Sequence, residues 1–386
     1  MCGAIARAAF PLLASVTVSF LAGSSLPTAM YPLYQAAWKF SPLTITALFA
    51  TNAIAVLTAL LVAGRLSDHV GRRPVLIAAT LAQLAAMAIY AGAAGLPALL
   101  LARAVQGMAT GASVGAVSAA LLDLHRERGV RANALAPLMG IAGGALAGSL
   151  MVHYLPAPLC LPYGALAMVY LLQCGGLLYL PESSARRTGA LASLRPQLCM
   201  PHAARAALPA AVPVLVAVWT VFGLYASLGP ALVRRLFDLD GSLYGGAALF
   251  VLSASGALAL RLLERSSSLR MMRIGAAGVC VGGSILLAAL AWRARPAYLL
   301  ATVLTGVGFG AGFQGALRSI VAGVPAQERT GVMSVVFVVC YVSMGLPPVL
   351  AGLALAAGCP LPAVAAAFAV LALGLATFGL ARTRSA

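Results

Sequence analysis

Two short segments hold the residues of this chain whose types and spacing could do chemistry. The first is the charged stretch 64–74, which reads Gly-Arg-Leu-Ser-Asp-His-Val-Gly-Arg-Arg-Pro. The second is Arg103, followed three and four residues later by Gln106 and Gly107. On a helix this spacing puts the three residues on one face. A guanidinium held there inside a membrane would favour an anionic or zwitterionic solute.

The elements that must position these residues are membrane-spanning helices. The mean hydropathy is +0.99 and 9% of the residues are charged, against about 25% in a soluble protein. Ten runs without Asp, Glu, Lys or Arg reach roughly twenty residues or more, the length of a spanning helix, whereas a β-barrel would show alternating segments of about ten. Two runs, 132–181 and 330–381, are long enough for two helices each and contain proline-rich breaks at 153–158 and 358–362. We therefore predict an all-α integral membrane protein with twelve spans.

The net charge of +17 could indicate a nucleic-acid-binding protein, but the positions of the charges argue against one. If the N-terminus is cytoplasmic, 19 of the 25 basic residues fall in cytoplasmic segments, five fall outside and Arg103 falls within a span. This asymmetry follows the positive-inside rule and predicts that both termini are cytoplasmic. The apolar run after Arg7 is too long for a secretory signal, so we interpret it as the first span.

The chain also divides into two halves built on one plan. We predict a six-helix bundle over 1–181, a polar and basic cytoplasmic linker over 182–205, and a second six-helix bundle over 206–386. Arg65-Leu66-Ser67-Asp68 has a counterpart 196 residues later in Arg261-Leu262-Leu263-Glu264, and Gly107 and Gly111 have counterparts 199 residues later in Gly306 and Gly310. Coincidence in an alanine-rich chain is the alternative explanation of the short echo.

The charged stretch resembles the loop between the second and third helices of the major facilitator superfamily of transporters, and the segment at Arg103 resembles the fourth-helix motif of that family. The resemblance implies two pseudo-symmetric six-helix bundles around a central cavity, with the solute site near the membrane midplane. It implies a part for Arg103 in solute binding or proton coupling. It also implies that the loop closes the cytoplasmic side when the cavity faces outward, with Asp68 near the start of the eleventh helix. The residues of this conformational switch are then Gly64, Arg65, Asp68, Gly71, Arg72, Arg73 and, in the second half, Glu264.

Each of these interpretations has an alternative. A plain positive-inside loop would explain the arginines, but not Asp68 between two glycines. Arg103 could extend to the outer headgroups, because it lies only a few residues into its span. For the polar and aromatic candidates, helix packing with a satisfied hydrogen bond is the alternative to solute contact, and Tyr31 could belong to an interfacial aromatic belt. The candidate solute-binding and coupling residues are Tyr31, Asn52, Arg103, Gln106, Trp219, Tyr225, Gln314 and Tyr341.

The direction of transport is the least specified property. All eight acidic residues lie in loops or at helix ends, which weakens a carboxylate-based proton relay and a specificity for cations. The fifth span carries Gly140, Gly143, Gly144 and Gly148, a pattern loosely similar to the antiporter motif of the family but without its Gly-Pro pair. We predict proton-coupled export of a small organic solute; the alternative is uptake or facilitated diffusion of a small metabolite, which could be anionic.

Other functional classes find less support. The sequence holds no catalytic constellation that would indicate an enzyme, no metal-ligand spacing and no ATP-binding loop, so we expect no cofactor. A channel would not need a state-dependent loop. The partners we expect are the solute, protons as the coupling ion and the lipid bilayer of a bacterial inner membrane, with the chain acting as a monomer. Cys160 and Cys359 fall in predicted outer loops, and whether they pair is left open.

Overall fold

The computed structural model describes residues 2–184, 187–196, 198–237, 242–244, 246–325 and 327–384. The side chains of residues 2–7, 235, 237, 242 and 384 lie outside this description. Three charged residues used in the sequence analysis, Arg186, Asp238 and Asp240, also lie outside it. Throughout the described ranges the regular structure is helical, and no strand occurs in them.

Twelve long helices form the body of the protein, and we number them in chain order. They are α1 (Cys2–Ser25), α2 (Pro42–Ala63), α3 (Arg72–Ala91), α4 (Leu96–Leu124), α5 (Arg126–Tyr154), α6 (Leu161–Leu178), α7 (Leu208–Ser227), α8 (Ala247–Leu262), α9 (Ser268–Trp292), α10 (Arg295–Val321), α11 (Arg329–Ala356) and α12 (Leu361–Arg384). Short helical segments connect them, at Leu26–Met30, Tyr31–Trp38, Ser67–Val70, Ala190–Ser193, His202–Arg205, Gly229–Phe237 and Ser242–Tyr244.

Eleven of the described helical segments are long and apolar enough to cross a membrane. One of these spans, Ala8–Trp38, joins α1 to the short helix that follows it. The helix α8 is apolar but has only 16 residues, and it stands at the eighth position of the predicted twelve. Both long uncharged runs break where proline predicts, because α5 ends at Tyr154 and α11 ends at Ala356 before the next helix begins.

The helices group into two compact units. The first contains Met1–Pro27 and Thr51–Gln197, and the second contains Thr28–Ala50 and Leu198–Ala386. Within the first unit α1 packs on α5, and α3 packs on α4 and α6; within the second unit α7 packs on α11, and α9 packs on α10 and α12. The same helices, six positions apart in order, therefore pair in each unit. The predicted division at 181 and 206 remains a prediction.

The glycines that the sequence pairs 199 residues apart occupy equivalent helix crossings. A Cβ on Gly107 of α4 would lie 2.7 Å from the carbonyl oxygen of Asn52 in α2. A Cβ on Gly306 of α10 would lie 2.3 Å from the carbonyl oxygen of Leu252 in α8. In both units the fourth helix can approach the second only because no side chain stands between the backbones.

One turn further along, the same contact repeats. A Cβ on Gly111 would lie 2.3 Å from the carbonyl oxygen of Val56, and a Cβ on Gly310 would lie 2.4 Å from that of Gly256. The two units therefore use one packing register, with an offset of 199 residues between α4 and α10 and of 200 residues between α2 and α8.

This register corrects the predicted echo between the two charged loops. With an offset of 200 residues, Arg261 corresponds to Leu61, inside the helix, and Arg265 corresponds to Arg65. Glu264 then corresponds to Gly64 and not to Asp68. The physical reason is loop length: residues 263–267 join α8 to α9, whereas the longer segment 64–71 joins α2 to α3 and has room for a short helix.

Candidate functional site: a charged loop, a buried arginine and an aromatic cluster

The charged stretch 64–74 forms a short helix, Ser67–Val70, followed by a sharp turn at Gly71. Gly71 has φ 105° and ψ 151°, a backbone conformation that a side chain would strain, and it directly precedes α3. A Cβ at this position would also lie 2.6 Å from Oε2 of Glu182. Glycine is therefore required here by the backbone conformation and by the neighbouring carboxylate.

Glu182, four residues past α6, caps the start of α3. Its Oε1 accepts a hydrogen bond of 2.9 Å from the backbone amide of Arg72, and its Oε2 accepts one of 3.1 Å from the backbone amide of Arg73. These amides belong to the first turn of a helix, where they have no partner within the helix and where a negative charge is favoured. The carboxylate thereby fixes the loop to the end of α6.

The two arginines of the loop add further contacts in the same unit. The guanidinium of Arg72 forms an ion pair with Asp123, at the end of α4, and that of Arg73 donates a hydrogen bond to the carbonyl oxygen of Leu178, the last residue of α6. The sequence analysis missed Glu182 as a partner. A signal existed, since Glu182 is the first charged residue after a long apolar run and reaches the membrane boundary on the same side as the loop.

His69 joins the loop to the segment that follows Glu182. Its backbone carbonyl accepts a hydrogen bond of 2.9 Å from the amide of Arg187, and its Nδ1 lies 2.9 Å from the carbonyl oxygen of Thr188. Because a carbonyl oxygen can only accept, Nδ1 carries the proton in this contact.

Asp68 and Gly64 behave differently from the arginines. Asp68 is exposed, in the first turn of the short helix Ser67–Val70. Gly64 lies at a close helix approach, as predicted, because a Cβ on Gly115 of α4 would lie 2.7 Å from its carbonyl oxygen. Arg65 is partly exposed. The loop is thus anchored along its second half, and its acidic residue is left accessible.

In the second unit the corresponding loop is simpler. Arg261 donates a hydrogen bond of 2.9 Å to Oε2 of Glu264, a pair three residues apart, and Arg318 of α10 lies 3.4 Å from the carbonyl oxygen of Glu264. Ser267 caps α9 by accepting a hydrogen bond of 3.3 Å from the amide of Arg270.

Arg103 is fully buried, with 2% of its surface exposed, at the centre of a polar network between α1, α3 and α4. Its guanidinium donates hydrogen bonds to the carbonyl oxygen of Ser24 (2.9 Å) and to Oε1 of Gln106 (3.1 Å). The amide of Gln106 donates to the carbonyl oxygen of Gly23 (2.9 Å), and Tyr90 donates to Oε1 of Gln106 (3.2 Å). The predicted shared face of Arg103 and Gln106 is present, and it points into the first unit.

The other candidates of the first half lie apart from one another. Asn52 is buried in α2, and its Oδ1 has no hydrogen-bond partner among the described residues. Tyr31 is buried at the start of the short helix Tyr31–Trp38, in a segment that groups with the second unit.

An aromatic cluster gathers around Trp219 of α7 in the second unit. The ring of Trp219 lies 5.6 Å from that of Phe309 and 5.4 Å from that of Phe313, both on α10, and 5.7 Å from that of Tyr341 on α11. Phe222, one turn along α7, stacks on Phe309 at 5.0 Å. This cluster brings together two predicted candidates, Trp219 and Tyr341.

The remaining candidates of the second unit divide between packing and partial exposure. Tyr225 is buried, accepts a hydrogen bond of 3.2 Å from the hydroxyl of Thr302 and lies beside Tyr298, so its visible contacts are internal to the unit. Gln314 is partly exposed on α10, next to Phe313.

The described residues offer no site for a metal ion, since no three His, Cys, Asp or Glu side chains gather within them. Cys160 and Cys359 are both exposed free thiols.

Comparison with known proteins identifies the architecture. The family model described as Major Facilitator Superfamily matches residues 12–348. No curated protein sequence matches the chain.

Solved structures resemble the chain over almost its whole length. A peptide-transporter-family structure, PepTSo of the POT family, has a TM-score of 0.73 at 10% identity and covers 97% of this chain and 98% of its own. A point mutant of the nucleoside transporter NupG has a TM-score of 0.71 at 15% identity, covering 96% and 98%. The human organic anion transporter MFSD10 (TETRAN) has a TM-score of 0.69 at 17% identity, covering 97% and 99%. At these identities the likeness shows the fold.

Proposed function

Since the chain belongs to the Major Facilitator Superfamily and is a multi-pass membrane transporter, we propose that it exports a small organic solute by alternating access, in exchange for protons. The spans fit this family's all-α membrane fold. The proposal includes a bacterial inner membrane, cytoplasmic termini and a monomeric chain, which the distribution of basic residues and the family's architecture support.

The anchoring of the charged loop is the observation that carries this proposal. Alternating access needs a contact that exists in one state and is absent in the other, on an element that otherwise moves as a rigid body. Glu182 and Asp123 fix the arginine half of the loop to α6 and α4 of its own unit. Asp68 stays exposed at the other end of the loop. A rigidly held but accessible carboxylate suits a state-dependent switch.

The class of solute is suggested by charge. Arg103 places a cation in the interior of the first unit, and all eight acidic residues of the sequence fall at helix ends or between helices. An ionised arginine at membrane depth is retained at a cost of a few kcal/mol, about 3 on insertion scales, and therefore indicates a functional site. An anionic or zwitterionic solute fits this charge better than a cation does.

Export is supported by the packing of α5. A Cβ on Gly144 would lie 2.2 Å from the carbonyl oxygen of Ala22 in α1, and a Cβ on Gly140 would lie 2.4 Å from that of Val18. The glycine pattern that loosely resembles the antiporter motif thus lies at a tight α1–α5 crossing, where small changes in packing alter the first helix.

Facilitated diffusion or uptake is the second candidate. It is favoured by the placement of the acidic residues, because no carboxylate in the middle of a span is available to carry the coupled proton.

The experiment that separates the two candidates is transport by the purified chain in proteoliposomes that contain a trapped pH indicator. A panel of small organic acids, zwitterions and amines is tested with and without an imposed pH gradient, against liposomes without protein. Proton-coupled export predicts that one solute moves protons in the opposite direction and accumulates only with the gradient. Solute counterflow that proceeds equally well without a gradient and moves no protons would replace this proposal with facilitated diffusion.

A further inference from the structure

The aromatic cluster of the second unit has a composition and a depth that its role in packing does not explain. Three helices contribute two rings each: Trp219 and Phe222 from α7, Phe309 and Phe313 from α10, and Phe337 and Tyr341 from α11. Phe222 and Phe309 are buried, whereas the other four rings are partly exposed. The two buried rings therefore form a base on which an accessible aromatic surface rests.

This surface lies near the middle of its helices. Trp219 is the twelfth of the 20 residues of α7, Phe309 is the fifteenth of the 27 residues of α10, and Tyr341 is the thirteenth of the 28 residues of α11. Aromatic residues that anchor a protein in the bilayer lie at the two membrane interfaces, near the ends of the spans. The cluster is therefore not an interfacial belt.

Trp219 also leaves a hydrogen-bond donor unused at this depth. Its Nε1 is buried, and no acceptor for it occurs within the part of the chain that the structure describes. A buried indole N–H usually has a partner, because an unsatisfied donor in an apolar environment costs about 1–3 kcal/mol. The indole ring is held in place by Phe309, Phe313 and Tyr341, so the donor has a fixed direction.

From these observations we propose that the aromatic cluster binds the ring of a planar aromatic solute, and that Trp219 Nε1 donates a hydrogen bond to an acceptor, such as a carboxylate oxygen, on the edge of that ring. The inference rests on the proposed transport function and names the class of its solute. Aromatic pairs favour offset-stacked or edge-to-face contact at ring separations of about 4.5–7 Å, which is the spacing already present within the cluster.

The charges near the cluster favour an acceptor over a cation. Exposed aromatic faces can also bind cations, but the described acidic residues of this unit, Glu264 and Glu328, lie outside α7, α10 and α11. Partly exposed Gln314 adds a neutral amide beside Phe313. The site therefore has rings, one unused donor and an amide, and it offers no carboxylate to an amine.

The test measures binding of three matched probes to the full chain in lipid nanodiscs by titration calorimetry, with empty nanodiscs subtracted. The probes are 2-naphthoate, its saturated counterpart decahydro-2-naphthoate, and the planar cation 2-naphthylmethylamine. We expect saturable binding of 2-naphthoate and at least tenfold weaker binding of the other two. Equal or tighter binding of the saturated acid or of the amine overturns the proposal.

Substitutions then assign the site. Trp219→Phe keeps a ring and removes the N–H, so we expect it to weaken 2-naphthoate binding about fivefold to tenfold while leaving the weak binding of the saturated acid unchanged. Trp292→Phe is the matched control, since Trp292 is 79% exposed at the end of α9 and lies outside the cluster. Unchanged binding in Trp219→Phe, or equal loss in Trp292→Phe, also overturns the proposal. If Trp219→Phe does not fold, Tyr341→Leu replaces it, with the same loss of 2-naphthoate binding expected.

The outcome is separable from that of the transport proposal. A chain that exchanges an aliphatic solute for protons in proteoliposomes but binds none of the naphthyl probes supports the transport function and overturns the aromatic site.

Discussion

The carboxylate of Glu182 accepts a hydrogen bond of 2.9 Å from the backbone amide of Arg72, across 110 residues of sequence. Together with its second bond to the amide of Arg73, it makes the start of α3 and the end of α6 one mechanical element. The charged loop is therefore held by two kinds of interaction, a helix cap at Glu182 and an ion pair at Asp123.

We expect Glu182→Ala to destabilise the protein, because it removes a cap from the first turn of α3. Loss of such a cap costs about 1 kcal/mol, since the site is exposed and water partly replaces the carboxylate. The measurement is the thermal unfolding midpoint of the detergent-solubilised chain. Glu127→Ala is the control, because Glu127 is an exposed acidic residue in the first turn of α5. A larger loss in the control than in Glu182→Ala would contradict the assignment of Glu182 as the cap.

Gly71→Ala should cost more, for two separable reasons. The alanine would be strained at φ 105°, by about 1–3 kcal/mol, and its Cβ would meet Glu182 Oε2 at 2.6 Å. In the Glu182→Ala background only the strain remains, so the cost of Gly71→Ala should fall there. Unfolding midpoints of the two single variants and the double variant measure the difference. An equal cost in both backgrounds would mean that the carboxylate does not restrict this position.

The sequence predicted the glycines better than it predicted their partners. A close helix approach needs only small residues on one side, so its presence at Gly107 and Gly306 can be inferred from a pattern repeated at a fixed interval. The cap at Glu182 depends on where the end of α6 meets the start of α3, which no local pattern specifies. The misplaced echo at Arg261 arose for a related reason: identity of short motifs does not reveal that a loop has lost residues, whereas the helix contacts do.

The aromatic cluster illustrates the same limit. Polarity and position in the sequence suggested Trp219 and Tyr341 separately, and Gln314 beside them. The rings of Phe309 and Phe313 were not singled out, because phenylalanine in a membrane span is ordinarily packing. Only their distances to Trp219 show that the residues form one surface.

Matched substitutions should show that the two units use equivalent crossings. Gly107→Ala would press on Asn52, and Gly306→Ala would press on Leu252 and Ser255, so we expect each to cost about 1–3 kcal/mol and to lower the yield of folded protein. Gly143→Ala is the control, since its Cβ would meet nothing within 4 Å. Size-exclusion chromatography of a fluorescent fusion measures the yield. A normal yield for either crossing variant would show that its helices can separate without penalty.

Arg103 can be tested for charge and geometry independently. Arg103→Gln removes the charge, and Arg103→Lys keeps the charge but cannot serve both Ser24 and Gln106 with the same planar geometry. If the charge attracts an anionic solute, transport of the anion should fall at least tenfold in Arg103→Gln and less in Arg103→Lys. Loss of transport of a permanent cation in these variants, with anions unaffected, would contradict this role.

Asp68→Asn should separate switching from folding. Asp68 is exposed, and its neighbours in the loop are held by Glu182 and Asp123, so replacing the carboxylate by an amide of the same shape should change the unfolding midpoint very little. If the carboxylate stabilises only one state of the transport cycle, by about 1–2 kcal/mol as expected beside a helix N-terminus, the variant should shift the balance between states about fivefold to thirtyfold. Initial rates of solute counterflow in proteoliposomes and labelling of single cysteines from each side measure the two effects. Unchanged rates with unchanged labelling, in a variant of normal stability, would remove Asp68 from the switch.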